Sequence, residues 1–422
     1  MENGMRSRLL LIVTVTLCAI FWSSNRTGPK ALQTQNIEDD TVAILVSRLD
    51  LSQYKASLKG LTQFGDRRQG TQRNRDAIDW LEQQLQRVGC TNRERLDYTY
   101  FPASSRRSRP SQRPEPEIRQ KTPTGGRIGR NGFGPGNSTI FGYRGPTGVN
   151  TDASAQKDQR LRHINSESPT PGPRQEVYCT KVGTTRPDEM YIVGAHMDGH
   201  GWGEAANDDG SGTALVLELA RILNAPDVQT ERSIRFIFWN NEETGLQGSR
   251  AYVSQRGPLQ GQEIPPGSGQ FPEPRWLGMI QHDMMLFDHG APRADGTVSR
   301  DQRPEADINI EFQSNADQSD EARELAFVFK AANERYATDY PASVGPHMTN
   351  TDSTPFMNLV PAISLRENER GAQIGAGWDP HWHQPTDIYA TFTDDDFRLG
   401  LNAAQTTLAA IALLTDTKLV SP

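Results

Sequence analysis

The 422-residue chain is 35% hydrophobic and 23% charged, a balance that suits a globular protein and excludes a membrane channel. Its 52 acidic and 45 basic residues leave a formal charge of −7, so nothing draws the molecule as a whole to nucleic acid or to an anionic membrane. With only three cysteines, too few for a zinc ribbon or knuckle, any metal must rest mainly on histidines and carboxylates.

Arg6 and Arg8 precede the apolar run 9–22, then Ser23, Ser24 and the polar residues 25–27. That order is expected of an export signal over residues 1–27, with an uncleaved membrane anchor as the alternative; either places the remainder outside the cytoplasm. The run is short for a spanning helix of roughly 20 residues, and no later stretch reads as one. A folded domain is expected over 39–415. Val42, Leu45, Val46, Leu49 and Leu51 give one helical apolar face, and Ala77, Ile78, Leu81, Leu85 and Val88 give a second that ends before Gly89. Periodicity is then lost. Arg106, Arg107, Arg109, Arg113, Arg119, Lys121, Arg127 and Arg130 lie among Ser, Pro and Gly, so 103–173 is expected to be a basic, low-complexity inserted loop.

Regular structure is predicted to return at Glu176. Residues 176–181 and 190–194 read as strands about a turn carrying Pro187 and Asp188, 212–223 as a helix, and 234–239 as a compact apolar strand. Residues 276–281 and 362–365 are further buried strands, with a helix over 320–336 between them. The alternation predicts an α/β fold, a mostly parallel central sheet with helices on both faces. Ligands bind such sheets beyond the carboxyl ends of the strands.

The polar residues gather at those ends. His196 stands just past a strand, with Asp198 two residues on to orient its imidazole. The sequence Asn207-Asp208-Asp209-Gly210-Ser211-Gly212 opens a helix, and Asp209 reads as its N-cap. Glu242 and Glu243 follow an apolar strand as adjacent acids, whose repulsion a cation or a proton relieves. Asp283 repeats the strand-then-acid layout. His383 supplies a second imidazole from a loop. Each feature taken alone is compatible with a structural role. Together, two histidines and three carboxylates, one of them shared, provide two zinc-like N/O sites and leave Glu242 over as a base.

This order and spacing resemble the zinc exopeptidases of metallopeptidase family twenty-eight, which include bacterial leucyl-type aminopeptidases and the glutamate carboxypeptidases. The resemblance covers roughly 58–414. It implies a zinc-aminopeptidase fold in which His196 and Asp283 hold one zinc ion, Glu243 and His383 hold the other, and Asp208 bridges both. Asp198 would support His196, Glu242 would be general base and acid, and the family's His-x-Pro-x-Asp match favours His383 over the rival His381, with Asp387 as the expected partner of its ring. The segment Thr351-Asp352-Ser353-Thr354-Pro355-Phe356 looks like the family's substrate-side segment, which makes Asp352 a candidate substrate contact. Two departures bear on substrate. Asn350 stands where some members carry an Arg, and Trp382 where certain members carry a Tyr that steadies the reaction intermediate; an indole N–H would have to substitute.

The implied activity is that of an exported di-zinc aminopeptidase acting on peptides, with no nucleic-acid partner and with membrane contact only through the leader. Three alternatives stay open. A glutaminyl cyclase of the same fold would use one zinc. A carboxypeptidase would need a cation such as Arg366 or Arg370 for the substrate carboxylate. A receptor-like binding domain would have lost its ligands. Cys90 and Cys179 provide at most one disulfide, if the fold brings them within reach.

Overall fold

Asp40, Asp50 and Thr71 each cap a helix by accepting hydrogen bonds from its first free amides: α1 (Thr41–Ser47), α2 (Leu51–Thr62) and α3 (Gln72–Arg87). These belong to a computed structural model that describes residues 40–102, 148–287, 308–346, 350–367 and 379–421. The expected leader, Arg370 and the basic residues 106–130 lie outside the described residues. The apolar period of α3 buries Ala77, Ile78, Leu81 and Leu85, and Gly89, at φ +82°, turns the chain out of the helix.

The order continues with β1 (Arg93–Tyr100), α4 (Gln159–Asn165), β2 (Gly172–Lys181), β3 (Arg186–His196), α5 (Gly212–Leu223), β4 (Val228–Gln229) and β5 (Arg232–Trp239). It closes with α6 (Gln247–Arg256), β6 (Arg275–His282), β7 (Ile308–Glu311), α7 (Ser319–Tyr336), β8 (Ala342–Gly345), β9 (Ala362–Arg366), α8 (Asp394–Leu414) and β10 (Lys418–Leu419). The described residues form an eight-stranded sheet in the order β1-β2-β5-β3-β6-β9-β7-β8, with β4 and β10 as a separate ribbon. Strands β5, β3, β6 and β9 run parallel at its centre, whereas β1, β2 and β5 pair antiparallel at one side. The sheet is thus mixed and mostly parallel, as the sequence predicts.

Central strands read as unbroken apolar runs because both faces are buried. Val193, Ala195, Phe236 and Phe238 point into the main core beneath α1, α2, α3, α5, α7 and α8. Their neighbours Ile192, Ile237 and Trp239 point the other way, into a smaller cluster with Tyr252 of α6, Trp276 and Phe356. Register aligns the ends: His196 sits beside Trp239, Ala195 beside His282, and His282 beside Leu365. Whatever follows each of these strands must therefore emerge at one edge.

Several expectations are corrected. Strands β2 and β3 do not form a hairpin, because β5 lies between them, and Pro187 and Asp188 fall inside β3. The expected loop 103–173 contains helix α4, capped by Asp158 and anchored by buried Leu161 and Asn165. Helix α8 is long and apolar enough to cross a bilayer, against the sequence reading, but most of it is buried in the core.

Residues 148–171 also reach the loops above the sheet. Asn150 N–H donates to His383 O at 3.0 Å, Gln156 Nε2 to Trp202 O and Pro385 O at 2.8 and 2.9 Å, and Asn165 Nδ2 to Gly203 O at 2.8 Å. We expect deletion of residues 105–130 to leave folding intact. Extending the deletion through residue 171 removes these four bonds, and at about 0.5–1.5 kcal/mol each it should lower stability by about 2–6 kcal/mol. Urea unfolding midpoints of the two variants check both statements.

Cys90, just past α3, and Cys179, in β2, form a disulfide with their α-carbons 6.3 Å apart. It closes a span of 89 residues. Cys90→Ser should cost about 2–5 kcal/mol of stability, read as a lower melting temperature; two free thiols in the unreduced, denatured chain without its leader, which carries Cys18, would contradict the pairing.

Candidate metal centre

His196, Asp208, Glu242, Glu243, Asp283, Asn350, Trp382 and His383 line one pocket at the carboxyl ends of β3, β5 and β6. Asp208 is its hinge point. Its Oδ1 lies 3.1 Å from His196 Nε2, and its Oδ2 lies 3.0 Å from His383 Nε2. Around these contacts the donor atoms fall into two groups. His196, Asp208 and Asp283 form one, and Glu243, His383 and His200 form the other, each with its ligand atoms within 4.8 Å of one another. Glu242 lies in the pocket but in neither group.

The loops are fixed by backbone bonds. His196 Nδ1–H donates to the carbonyl oxygen of Asp198 at 2.9 Å, which leaves Nε2 for the pocket. The Asp198 carboxylate, expected on this ring, is 4.0 Å away and instead accepts from Glu242 N–H at 3.0 Å. It therefore positions the adjacent acids. Asp387 is likewise not on His383: it accepts from the amides of Asn207 and Asp208 at 2.8 and 3.2 Å. Asp198 thus meets the His196 ring through its carbonyl oxygen and not its carboxylate, and Asp387 turns to other amides, because side-chain direction, which sequence proximity does not carry, decides the contact. Asp209 caps α5 through Gly212 N–H, as expected, and also accepts from His196 N–H.

Two further expectations change. Asp352 does not line the pocket; it is fully buried and accepts from Ser249 Oγ at 2.5 Å. Asn350 and Trp382 line it instead, and Trp382 stacks on the His383 ring at 4.0 Å between centroids. Arg366 is buried against Asp283, Nη2 to Oδ2 at 2.5 Å, with Glu311 on its other side at 3.8 Å, so it does not face a substrate carboxylate. His381, the rival imidazole, lies 2.8 Å from Thr386 Oγ1 and belongs to neither donor group.

Sequence reasoning missed His200 and Arg67. The signal for His200 was a histidine between two glycines four residues after His196. Arg67, fully buried, donates to the carbonyls of Met197, Glu204 and Ala205 and so fixes the loop beyond β3; nothing in its own neighbourhood of the sequence marks it.

The electrostatics favour added positive charge. Burial disfavours a charged His196, yet facing Glu242, Asp208 and Asp209 outweigh it and hold the imidazolium well above the usual histidine range. Burial opposes His383 too, but Glu243 and Asp208 push it up to about 10. Glu243 is pulled down to about 2 against burial by His200 and His383. Glu242 behaves oppositely: burial, then the charges of Glu243, Asp352 and Asp283, drive its carboxyl well above the usual range. Glu243 Oε1 and His200 Nε2 are buried without a hydrogen bond. A mixed nitrogen and carboxylate set with such atoms fits zinc-like cations.

A model of peptidase family M28 matches residues 177–406, more than half of the chain, and the chain belongs to that family. A probable lipoprotein aminopeptidase of Mycobacterium tuberculosis is 38% identical over 115 residues, 27% of this chain and 20% of its own length. Aminopeptidase YwaD of Bacillus subtilis is 46% identical over 67 residues, 16% of this chain and 14% of its own. The matches thus span a fifth or less of these relatives. Among solved structures, the LapA aminopeptidase of Legionella pneumophila aligns over 92% of this chain and 79% of its own, with TM-score 0.55 and 15% identity. A zinc aminopeptidase from Bacillus subtilis aligns over 86% and 95%, with TM-score 0.54 and 14% identity. The glutaminyl cyclase of Porphyromonas gingivalis aligns over 86% and 98%, with TM-score 0.50 and 16% identity. At such identities these likenesses show the fold, which peptidase and cyclase share.

Removing the Arg366 cation takes a buried positive charge away from two buried carboxylates, Asp283 and Glu311. Arg366→Leu should therefore destabilise the protein by about 3–5 kcal/mol, measured by thermal denaturation, and Arg366→Lys by less.

Proposed function

We propose that this chain is an exported di-zinc aminopeptidase that removes the N-terminal residue of peptides. The observation that carries the reading is the division of the pocket by Asp208, whose two oxygens face His196 and His383 separately. His196 and Asp283 would hold one zinc, His383 and Glu243 the other, and Asp208 both. When bound, such a pair supplies Lewis acidity that makes water acidic near neutral pH and polarises a peptide carbonyl.

The remaining steps belong to the chain. Glu242, outside both donor groups and with its proton affinity raised by burial, accepts the proton of the attacking water and returns it to the departing amine. Asp198 holds Glu242 by its backbone amide. The surplus of carboxylates attracts a free α-amino group, and an N-acetyl cap removes that attraction. Trp382, stacked on His383, walls the pocket.

Several observations favour this over the alternatives. Two donor groups suit two ions rather than the single zinc of a cyclase. Arg366 is engaged with Asp283, which disfavours the carboxypeptidase, and no expected ligand position is lost, which disfavours the binding domain. The curated relatives above are named as aminopeptidases, one of them a probable lipoprotein. That relative and the Cys90–Cys179 disulfide support a site outside the cytoplasm.

Metal analysis of the purified protein should find about two zinc ions per chain; one would favour the cyclase and none the binding domain. Hydrolysis should be seen with free but not N-acetylated amino-acid anilides. Glu242→Gln should keep both ions while turnover falls by at least about 10²–10⁴-fold. Glu243→Ala should lose zinc and activity together. Near wild-type rates in both variants would sink the assignment.

A further inference from the structure

The geometry points to His200 as a third side-chain ligand in the Glu243–His383 half of the centre, so that the two halves bind zinc with unequal donor sets. This deepens the di-zinc reading and rests on it. His200 Nε2 lies 2.9 Å from Glu243 Oε2, and the His200 ring meets the His383 ring edge-on, 4.2 Å between centroids at 89°. Donor atoms of all three residues lie within 4.8 Å of one another. His200 Nε2 and Glu243 Oε1 are both buried without a hydrogen-bond partner of sound geometry. A zinc-like cation is bound by an imidazole nitrogen and a carboxylate that converge in this way.

The backbone is built to bring His200 there. Gly201, at φ +98°, lies so close to the His383 backbone that a Cβ would stand 2.4 Å from its carbonyl carbon and oxygen. A Cβ on Gly199 would meet the Ala205 side chain at 2.4 Å, and one on Gly203 the Asp387 carbonyl oxygen at 2.5 Å. Glu204 N–H donates to Asp387 O at 2.7 Å, and Arg67 grips the same loop from below. Glycines are needed where two backbones approach this closely. The 199–205 loop is pressed onto the 383–387 loop, and His200 is the side chain it delivers beside Glu243 and His383.

The halves then differ in kind. With shared Asp208 counted, the second half offers His200, Glu243 and His383 as well, four protein donors, the number that a closed zinc site uses. The first offers His196 and Asp283, and Arg366 already occupies one oxygen of Asp283. Three protein donors leave a position open for water or substrate, the arrangement of a catalytic zinc; four suit a tightly retained one that expands its coordination when needed. Accordingly, the His196–Asp283 zinc should be the first removed by a chelator.

The test compares wild type with His200→Ala and His200→Gln, each reconstituted with zinc alone and titrated with a competing chelator, with zinc content read by mass spectrometry. Zinc X-ray absorption counts the imidazoles per ion. Wild type should hold two ions sharing three imidazoles. Both variants should keep the first ion, which also reports that they fold, and share two imidazoles. They should bind the second ion more than about 10–100-fold more weakly, beyond the loss expected for a residue that merely supports a ligand. Variants whose two ions resist the chelator like wild type would overturn the inference, even with a raised KM, since His200 would then be a substrate contact. Fewer than two ions in wild type would overturn the di-zinc reading itself, and this inference with it.

Discussion

Repulsion among carboxylates buried at the carboxyl ends of β3, β5 and β6 sets the terms for the rest of the molecule. Asp198, Asp208, Asp209, Glu242, Asp283 and Asp352 are all less than a tenth exposed, as are their few positive counterparts. Two unit charges 4 Å apart repel by about 4 kcal/mol even at an effective dielectric of about 20. So dense a group is stable only where each acid finds a donor, a proton or a cation.

The fold sorts its acids by which of these they receive. Asp209 receives the amides of His196 and Gly212, Asp387 those of Asn207 and Asp208, and Glu367 those of Leu286 and Phe287. These charge-assisted bonds turn buried charge into loop geometry. Asp208, Glu243 and Asp283 face histidines and the pocket, which is where positive charge from outside would act. Glu242 has no imidazole bond among the described residues and is the acid for which we propose the proton transfer.

How much of this was legible in the sequence depends on what each signal measures. The central strands were readable because burial on both faces writes itself as continuous apolar residues. Strands β7 and β8, four residues each, carry too short a pattern to register, and α4 depends on tertiary burial of Leu161. For the site, residue types in order located His196, Asp208, Glu243, Asp283 and His383, which the fold gathers in one pocket. Pairings were less legible. His282 also ends a strand, yet it lies 2.8 Å from Thr407 Oγ1, and burial pushes its pKa down to about 4, so it stays neutral and structural. Nothing local in the sequence separates it from His196. Asp352 and Asp387 bond groups other than those their place in the sequence suggests, and Asp198 meets the His196 ring by its carbonyl rather than its carboxylate, because contact depends on side-chain direction, which strand and loop geometry decide.

The disulfide has one more effect, which concerns covalent continuity. Cys90 and Cys179 bracket the whole stretch from the end of α3 to β2, including the basic residues 106–130. A protease working outside the cell and cutting at any of those arginines would produce two polypeptides still tied by sulfur and by the β1–β2 ladder from Arg93↔Cys179 to Tyr100↔Gly172. The nicked molecule would keep both sides of its sheet, and every residue of the pocket would remain on the same C-terminal piece. Processing there would change the number of chains without changing the enzyme's architecture.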